Sequence, residues 1–169
     1  MAYDPLGRPE DPADTPVAKL LAIDLGLRAG IALFTGKGRL IAYRSTNFGN
    51  LSRLKRAIPS IVGPTVKVLV TEGDARLAHL WELHASRRDI ICERIAPQSW
   101  RSQIYNLSEM RQKGRWKETA DKYARRIIGW SELSSPSSLR HDAAEAICLG
   151  MCAVIRHGWL DQLPKDIYR

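Results

Sequence analysis

The chain has 169 residues, of which 44% are hydrophobic, and this combination suits one domain with a substantial core and excludes a disordered chain. Its net charge of +8 favours a polyanion such as DNA or RNA, or an anionic membrane surface, although a basic protein without such a partner has the same balance. No apolar run approaches the roughly 18 residues that span a bilayer, and residues 1–17, rich in proline and acids, predict a flexible arm rather than a signal or transit peptide.

The periodicity of residues 18–169 predicts a single domain with elements in the order β-β-β-α-β-α-β-α-α and a further short helix. The predicted strands are Lys19–Ile23, Gly30–Thr35, Leu40–Ser45, Val66–Thr71 and Asp89–Ile95. The predicted helices are Asn50–Ile61, Ala75–Arg87, the short Pro97–Ile104, Trp116–Ile128 and Leu139–His157, and a loop is predicted at Tyr105–Gly114. A hairpin meander followed by alternating strands and helices indicates an α/β fold with a mixed five-stranded sheet and helices on both faces.

The three cysteines point to a reducing environment. Cys92, Cys148 and Cys152 form no CxxC pair and are odd in number, which argues against a disulfide framework. We therefore expect a cytoplasmic protein.

Four carboxylates stand where apolar elements do not favour them. Asp24 ends the run LLAID, Glu72 ends VLVTE, and Asp142 and Glu145 open the last helix in HDAAEA. The two helical acids share one stripe with an apolar continuation, so both are expected to face the sheet. Buried like charges need a positive partner, and hard oxygen ligands favour Mg²⁺ or Mn²⁺. Taken singly, each acid also fits a turn, a strand end or a helix N-terminus.

Neighbouring residues extend this candidate site in two directions. His141 lies beside the helical acids, and it either assists metal binding or proton transfer or is a surface or capping residue. Asp74 follows Glu72 by two residues and has no assigned role. From Ser99 to Trp130 there are eight Lys or Arg against three Asp or Glu, a net +5, which predicts contacts with phosphates, although a solvated helix face has the same composition. The basic candidates are Arg101, Arg111, Lys113, Arg115, Lys117, Arg125 and Arg126. Trp100 and Trp116 are interpreted either as core residues or as stacking platforms for bases.

The order of these motifs resembles the RuvC-type Holliday junction resolvases of the RNase H-like superfamily. AIDLGLRAGIAL is similar to the first motif of that family, VTEGD to the second and HDAAEA to the helical one, over about residues 19–158. Glu145 stands where bacterial relatives usually have Asp, Leu25 replaces the usual Pro, and the segment after Glu72 lacks the aromatic residue inserted at the crossover. These departures indicate a divergent, phage-like member.

The resemblance implies an RNase H-like fold and a Mg²⁺-dependent endonuclease. It also implies a homodimer that makes two paired cuts in each four-way DNA junction. It implies that Asp24, Glu72, Asp142 and Glu145 hold two Mg²⁺ ions roughly 4 Å apart, that Mn²⁺ can substitute, and that Lys117 contacts the substrate phosphate. Products then carry 5′-phosphate and 3′-hydroxyl ends. Helix Ala75–Arg87 is the candidate dimer surface by the same resemblance, or it packs only on its own sheet.

Two alternatives to junction resolution stay open. The first motif is also similar to that of YqgF-type relatives, which act on ribosomal RNA, so a nuclease for RNA or for other branched DNA fits the same acids. A protein that binds branched DNA without cutting is the third possibility. Convergent carboxylates argue against it, because they repel phosphate and contribute nothing to binding alone.

Overall fold

The computed structural model describes residues 18–168, and the predicted arm, residues 1–17, lies outside this range. The strands are β1 (Lys19–Asp24), β2 (Arg28–Thr35), β3 (Leu40–Asn47), β4 (Val66–Glu72) and β5 (Ile91–Arg94). The helices are α1 (Leu51–Ile61), α2 (Ala75–Ser86), α3 (Pro97–Ile104), α4 (Leu107–Met110), α5 (Trp116–Trp130), α6 (His141–Arg156) and α7 (Lys165–Tyr168).

The five strands form one mixed sheet in the order β3-β2-β1-β4-β5. The first three strands are an antiparallel meander, whereas β4 runs parallel to β1 and β5 parallel to β4. This topology follows from the connections, because short turns join antiparallel strands and helical crossovers join parallel ones. The α/β class and the mixed sheet predicted from periodicity are therefore confirmed.

Each face of the sheet carries its own core. Leu20 and Ala22 of β1 belong to the cluster that packs against α3, α5 and α6. Leu21 and Ile23, which alternate with them, belong to the cluster under α1 and α2. This alternation is the period of two expected of a strand covered on both faces.

Helix α6 is the central helix on the face of the sheet that α3 and α5 also cover. Every residue from Ala146 to Val154 is buried, and the helix crosses β1 and β2. A helix that is apolar all round belongs inside a domain rather than at its surface. Gly150 makes the crossing close, because a Cβ there would meet the Phe34 ring, with Cδ2 at 2.9 Å.

The structure departs from the predicted elements mainly between α3 and α5. The predicted loop Tyr105–Gly114 contains α4, which is stabilised by a reciprocal capping box between Asn106 and Glu109. A 3₁₀ turn at Lys113–Arg115 then leads into α5. Strand β5 begins two residues later than predicted, after Asp89 with its left-handed φ of 53°, and ends one residue earlier.

The C-terminal part adds α7, which sequence periodicity did not predict, and Ile167 of this helix is fully buried. Within residues 18–168, none of the helices has the length and apolar character needed to cross a membrane.

Candidate metal centre

One row across the sheet brings the predicted site together. Asp24 pairs in register with Glu72 on β4 and with Gly30 on β2, and Gly30 pairs with Ser45 on β3. Residues paired in register on neighbouring strands point to the same face of a sheet. Asp24 alternates with Ile23, so it shares the face of Ala22, which is the face covered by α6. The side chains of this row therefore point toward the start of α6.

Gly30 allows α6 to begin directly on the sheet. A Cβ at this position would lie 2.8 Å from the backbone nitrogen of Ala143 and closer still to the carbonyl of Asp142. A side chain there would hold the helix away from β2. The glycine in the GLRAG segment thus serves close packing between backbones.

Three of the four predicted ligands converge above this row. Asp24, Glu72 and Glu145 each offer a carboxylate oxygen, and these oxygens all lie within 4.8 Å of one another. The side chain of Glu145 is only 12% exposed. Three oxygen donors of this kind, without a cysteine or histidine cluster, suit a hard divalent cation such as Mg²⁺ or Mn²⁺.

The fourth predicted ligand, Asp142, stands beside this group instead of inside it. Its Oδ2 accepts a hydrogen bond of 2.6 Å from the hydroxyl of Ser45, and its Oδ1 lies 2.9 Å from the backbone nitrogen of Ala143. Asp142 still acts on the group electrostatically, since its charge helps to raise the pKa of Asp24. Ser45 was not anticipated from the sequence.

Burial and mutual repulsion raise the proton affinity of the carboxylates. Burial first, and then the charges of Glu145, Glu72 and Asp142, together raise the pKa of Asp24 from 3.8 to about 8. Burial also raises the pKa of Glu72, against a hydrogen bond of 3.1 Å from Nε1 of Trp100. A carboxyl group that stays protonated near neutral pH marks a site arranged for a cation or a proton.

Two consecutive residues of helix α3 contact the acids. Trp100 is fully buried and donates to Glu72, and Arg101 forms an ion pair of 3.0 Å with Glu145. The core interpretation of Trp100 is thereby confirmed, with a polar contact that the sequence did not reveal. His141 completes the set, since its Nε2 lies 3.2 Å from Oε2 of Glu145.

Lys117 lies in the first turn of α5. The preceding residue, Trp116, lies under the guanidinium of Arg101, which is 4.4 Å from its ring centroid, and Arg101 in turn pairs with Glu145. The side chain of Lys117 is exposed.

The other predicted phosphate contacts divide into two groups. Arg111 and Lys113 are exposed at the approach to α5, and Arg115 there pairs with Glu118 at 2.8 Å. Arg125 and Arg126 lie further along α5 and donate to backbone carbonyls, of Pro136 at 2.9 Å and of Ile167 at 3.2 Å. The second group thus ties α5 to neighbouring segments.

Helix α2, the candidate dimer surface, places its tryptophan inside the domain. Trp81 is fully buried in the second core, and Leu77 and Leu80 pack against it. Leu83 is 45% exposed on the outer side of the helix. Asp74, whose role the sequence left open, is the N-cap of α2 and accepts from the backbone nitrogen of Arg76 at 2.7 Å.

Comparison with known proteins gives a structural match alone. No family model matches the sequence, and no curated protein matches it. The fold matches "T. thermophilus RuvC in complex with Holliday junction substrate" with a TM-score of 0.55 and 11% sequence identity, over 83% of this chain and 96% of that one. Together with the sheet order, this match shows that the chain has the RNase H-like α/β fold in the form that RuvC has.

Proposed function

We propose that this protein is a metal-dependent endonuclease that resolves four-way DNA junctions by paired phosphodiester cleavage. The observation that carries the proposal is the convergence of Asp24, Glu72 and Glu145 within 4.8 Å, in a protein of net charge +8. Such a cluster repels a nucleic acid unless cations intervene, so it suits a protein that uses metal ions on phosphate rather than one that only binds DNA.

The residues present fit a divalent cation. Carboxylates supply hard oxygen ligands, and burial together with the neighbouring acids raises the pKa of Asp24, a repulsion that a bound cation relieves. Asp24, Glu72 and Glu145 hold the first ion in this proposal, and Asp142, fixed by Ser45, contributes to a second. When bound, these ions activate a water and stabilise charge on the phosphate and on the leaving oxygen.

The chain's own residues orient the substrate around this centre. Lys117, exposed in the first turn of α5, offsets charge on the phosphate, which matters most in the transition state. His141, within hydrogen-bond reach of Glu145, orients that carboxylate. Arg111 and Lys113 extend the positive surface toward the DNA backbone.

A four-way junction is the proposed substrate because the matched RuvC structure is described in complex with one. Resolution requires two cuts related by two-fold symmetry, so we propose a homodimer. We place the contact on the outer side of α2, where Leu80, Leu83 and His84 line a groove of about 320 Å³ together with Ile58 and Pro59 of α1, between Lys55 and Arg87.

The proposal is tested by comparing Asp24→Asn with Asp121→Asn. Asp121 lies on α5, pairs with Arg125 and is 40% exposed, so its substitution controls for the loss of one acid. Each protein is incubated with labelled four-way junction, duplex, single-stranded DNA and RNA, in Mg²⁺ or in EDTA. We expect Mg²⁺-dependent symmetric nicks in the junction for the wild type and for Asp121→Asn. Asp24→Asn is expected to bind the junction and leave it uncut.

The outcomes separate the competing functions. Equal cleavage by the wild type and Asp24→Asn contradicts the nuclease proposal. Binding of the junction without cleavage by the wild type in any divalent metal favours a recognition protein. Preferential cleavage of RNA supports the metal centre but contradicts the four-way junction as the substrate.

A further inference from the structure

Arg101 forms the most enclosed ion pair among residues 18–168. Its Nη2 lies 3.0 Å from Oε1 of Glu145, and both side chains are 12% exposed. The guanidinium carbon lies 4.4 Å from the Trp116 ring centroid and 5.1 Å from that of Trp100. Aromatic faces on two sides and a carboxylate at the tip hold the charge in one place.

This charge acts on the whole acidic cluster. Arg101 pairs with Glu145, and the carboxylate oxygens of Glu145, Asp24 and Glu72 lie within 4.8 Å of one another. It is therefore the cation that limits repulsion among the carboxylates when no metal is bound. Without it, His141, 3.2 Å from Oε2 of Glu145, would be the basic side chain left in contact with these three partly buried acids.

The ion pair also occupies an oxygen that a metal would use. Oε1 of Glu145 accepts from Arg101, and Oε2 lies 3.2 Å from Nε2 of His141. Both oxygens of this carboxylate are thus engaged. A divalent ion that takes Glu145 as a ligand has to share or displace one of these partners, and it meets the repulsion of a fixed guanidinium.

Three residues at the pair each have a buried polar atom without a hydrogen-bond partner. Within the described part of the chain, Nε of Arg101, Nε1 of Trp116 and Nδ1 of His141 are buried and find no hydrogen-bond partner. Buried polar atoms without partners are uncommon. Two of these atoms belong to the residues that contact Glu145, and the third belongs to the ring under Arg101.

We propose that Arg101 is a built-in counter-cation, which holds the metal-free acidic site together through Glu145 and competes with the divalent ion for that site. The inference rests on the proposed function only in assuming that Asp24, Glu72 and Glu145 bind a metal. Arg101 is a positioning residue in this scheme, and its effect is measured on metal affinity and on the stability of the metal-free protein.

The test compares Arg101→Gln with Arg156→Gln. Arg156 also pairs with a glutamate, Glu93, but at the far end of α6. Mn²⁺ binding is followed by the electron paramagnetic resonance signal of the free ion, and thermal unfolding is followed in EDTA. Removing the fixed charge is expected to tighten Mn²⁺ binding by about tenfold or more and to lower the melting temperature in EDTA. Arg156→Gln is expected to leave Mn²⁺ affinity at the wild-type value.

Unchanged or weaker Mn²⁺ binding by Arg101→Gln overturns the counter-cation role, while measurable binding by the wild type leaves the metal site standing. Absence of Mn²⁺ binding in both proteins overturns the metal site as well. If Arg101→Gln does not fold, the double variant Arg101→Gln/Glu145→Gln decides. Its recovery supports the counter-cation role, because the unpaired charge is gone, and its failure to fold overturns that role.

Discussion

The tight contact between β2 and the start of α6 makes Gly30→Ala a sharp test of how the site is positioned. The added Cβ would lie 2.8 Å from the nitrogen of Ala143 and nearer still to the carbonyl of Asp142. Both are backbone atoms, so rotation of a side chain cannot relieve the overlap. The N-terminal turn of α6 has to move away from the sheet by roughly 1 Å or more to restore normal contact.

This displacement acts on the carboxylates more than on stability. Overpacking of a close contact costs about 1–3 kcal/mol, which a domain with two cores tolerates. Glu145 moves with the turn, however, while Asp24 and Glu72 stay on the sheet. A misplacement of about 1 Å at a catalytic site costs on the order of a hundredfold in rate, and we expect a loss of this size or greater in Mg²⁺-dependent cleavage, together with weaker Mn²⁺ binding.

Gly150→Ala is the matched control. Its Cβ would collide with Phe34, with Cδ2 at 2.9 Å, and would lie 3.1 Å from Cβ of Ala22, two turns further along the same helix. We expect a comparable loss of about 1–3 kcal/mol by denaturant unfolding and much smaller effects on cleavage and Mn²⁺ affinity. The reasoning is refuted if Gly30→Ala cleaves and binds Mn²⁺ as the wild type does, or if both variants lose activity only in proportion to stability.

Three further predictions concern the same row of residues. Since the pKa of Asp24 is about 8 in the folded protein and 3.8 ordinarily, the folded state binds the extra proton, and stability in EDTA should fall as the pH rises through this window. Asp24→Asn should flatten that dependence in melting curves, and saturating Mg²⁺ should reduce it. Ser45→Ala removes the hydrogen bond of 2.6 Å to Asp142 and should lower the cleavage rate about tenfold, at a stability cost of about 1–3 kcal/mol, with Ser45→Thr restoring part of the rate. Trp100→Phe keeps a ring in the core but deletes the donor to Glu72, so the pKa of that carboxyl should rise further, and Mn²⁺ affinity near neutral pH should fall while the fold, judged by circular dichroism, persists.

The fold was predictable because its strands and helices are marked by local patterns. The run LLAID and the run VLVTE are apolar enough to be read as buried strands, and each ends in its acid. Helix α4 was missed because its signal is a capping box of four residues rather than an apolar period. Helix α7 was missed for a related reason, since Ile167 is its one buried residue.

The site was predictable only where charge stood against an apolar background. Asp24, Glu72 and Glu145 stand out in this way and do converge. Ser45 and Trp100 carry no such signal, because a serine on an edge strand and a tryptophan in a short helix are ordinary residues. Their contacts with Asp142 and Glu72 depend on strand register and on the docking of α3, which one sequence does not encode locally.

The arrangement implies a definite relation between stability and activity in this protein. Burial partly removes the acids from bulk water, and the carboxylates raise one another's proton affinity. Without a metal, the site therefore destabilises the folded state, and the ion pair of Arg101 reduces this destabilisation. A divalent cation that binds the folded state alone then stabilises it by mass action. Asp24→Asn, which neutralises an acid that has no ion-pair partner of its own, should therefore raise the melting temperature in EDTA and remove the stabilisation by Mg²⁺. This opposite response of stability and metal binding distinguishes a cation site from a cluster of acids that has no ligand.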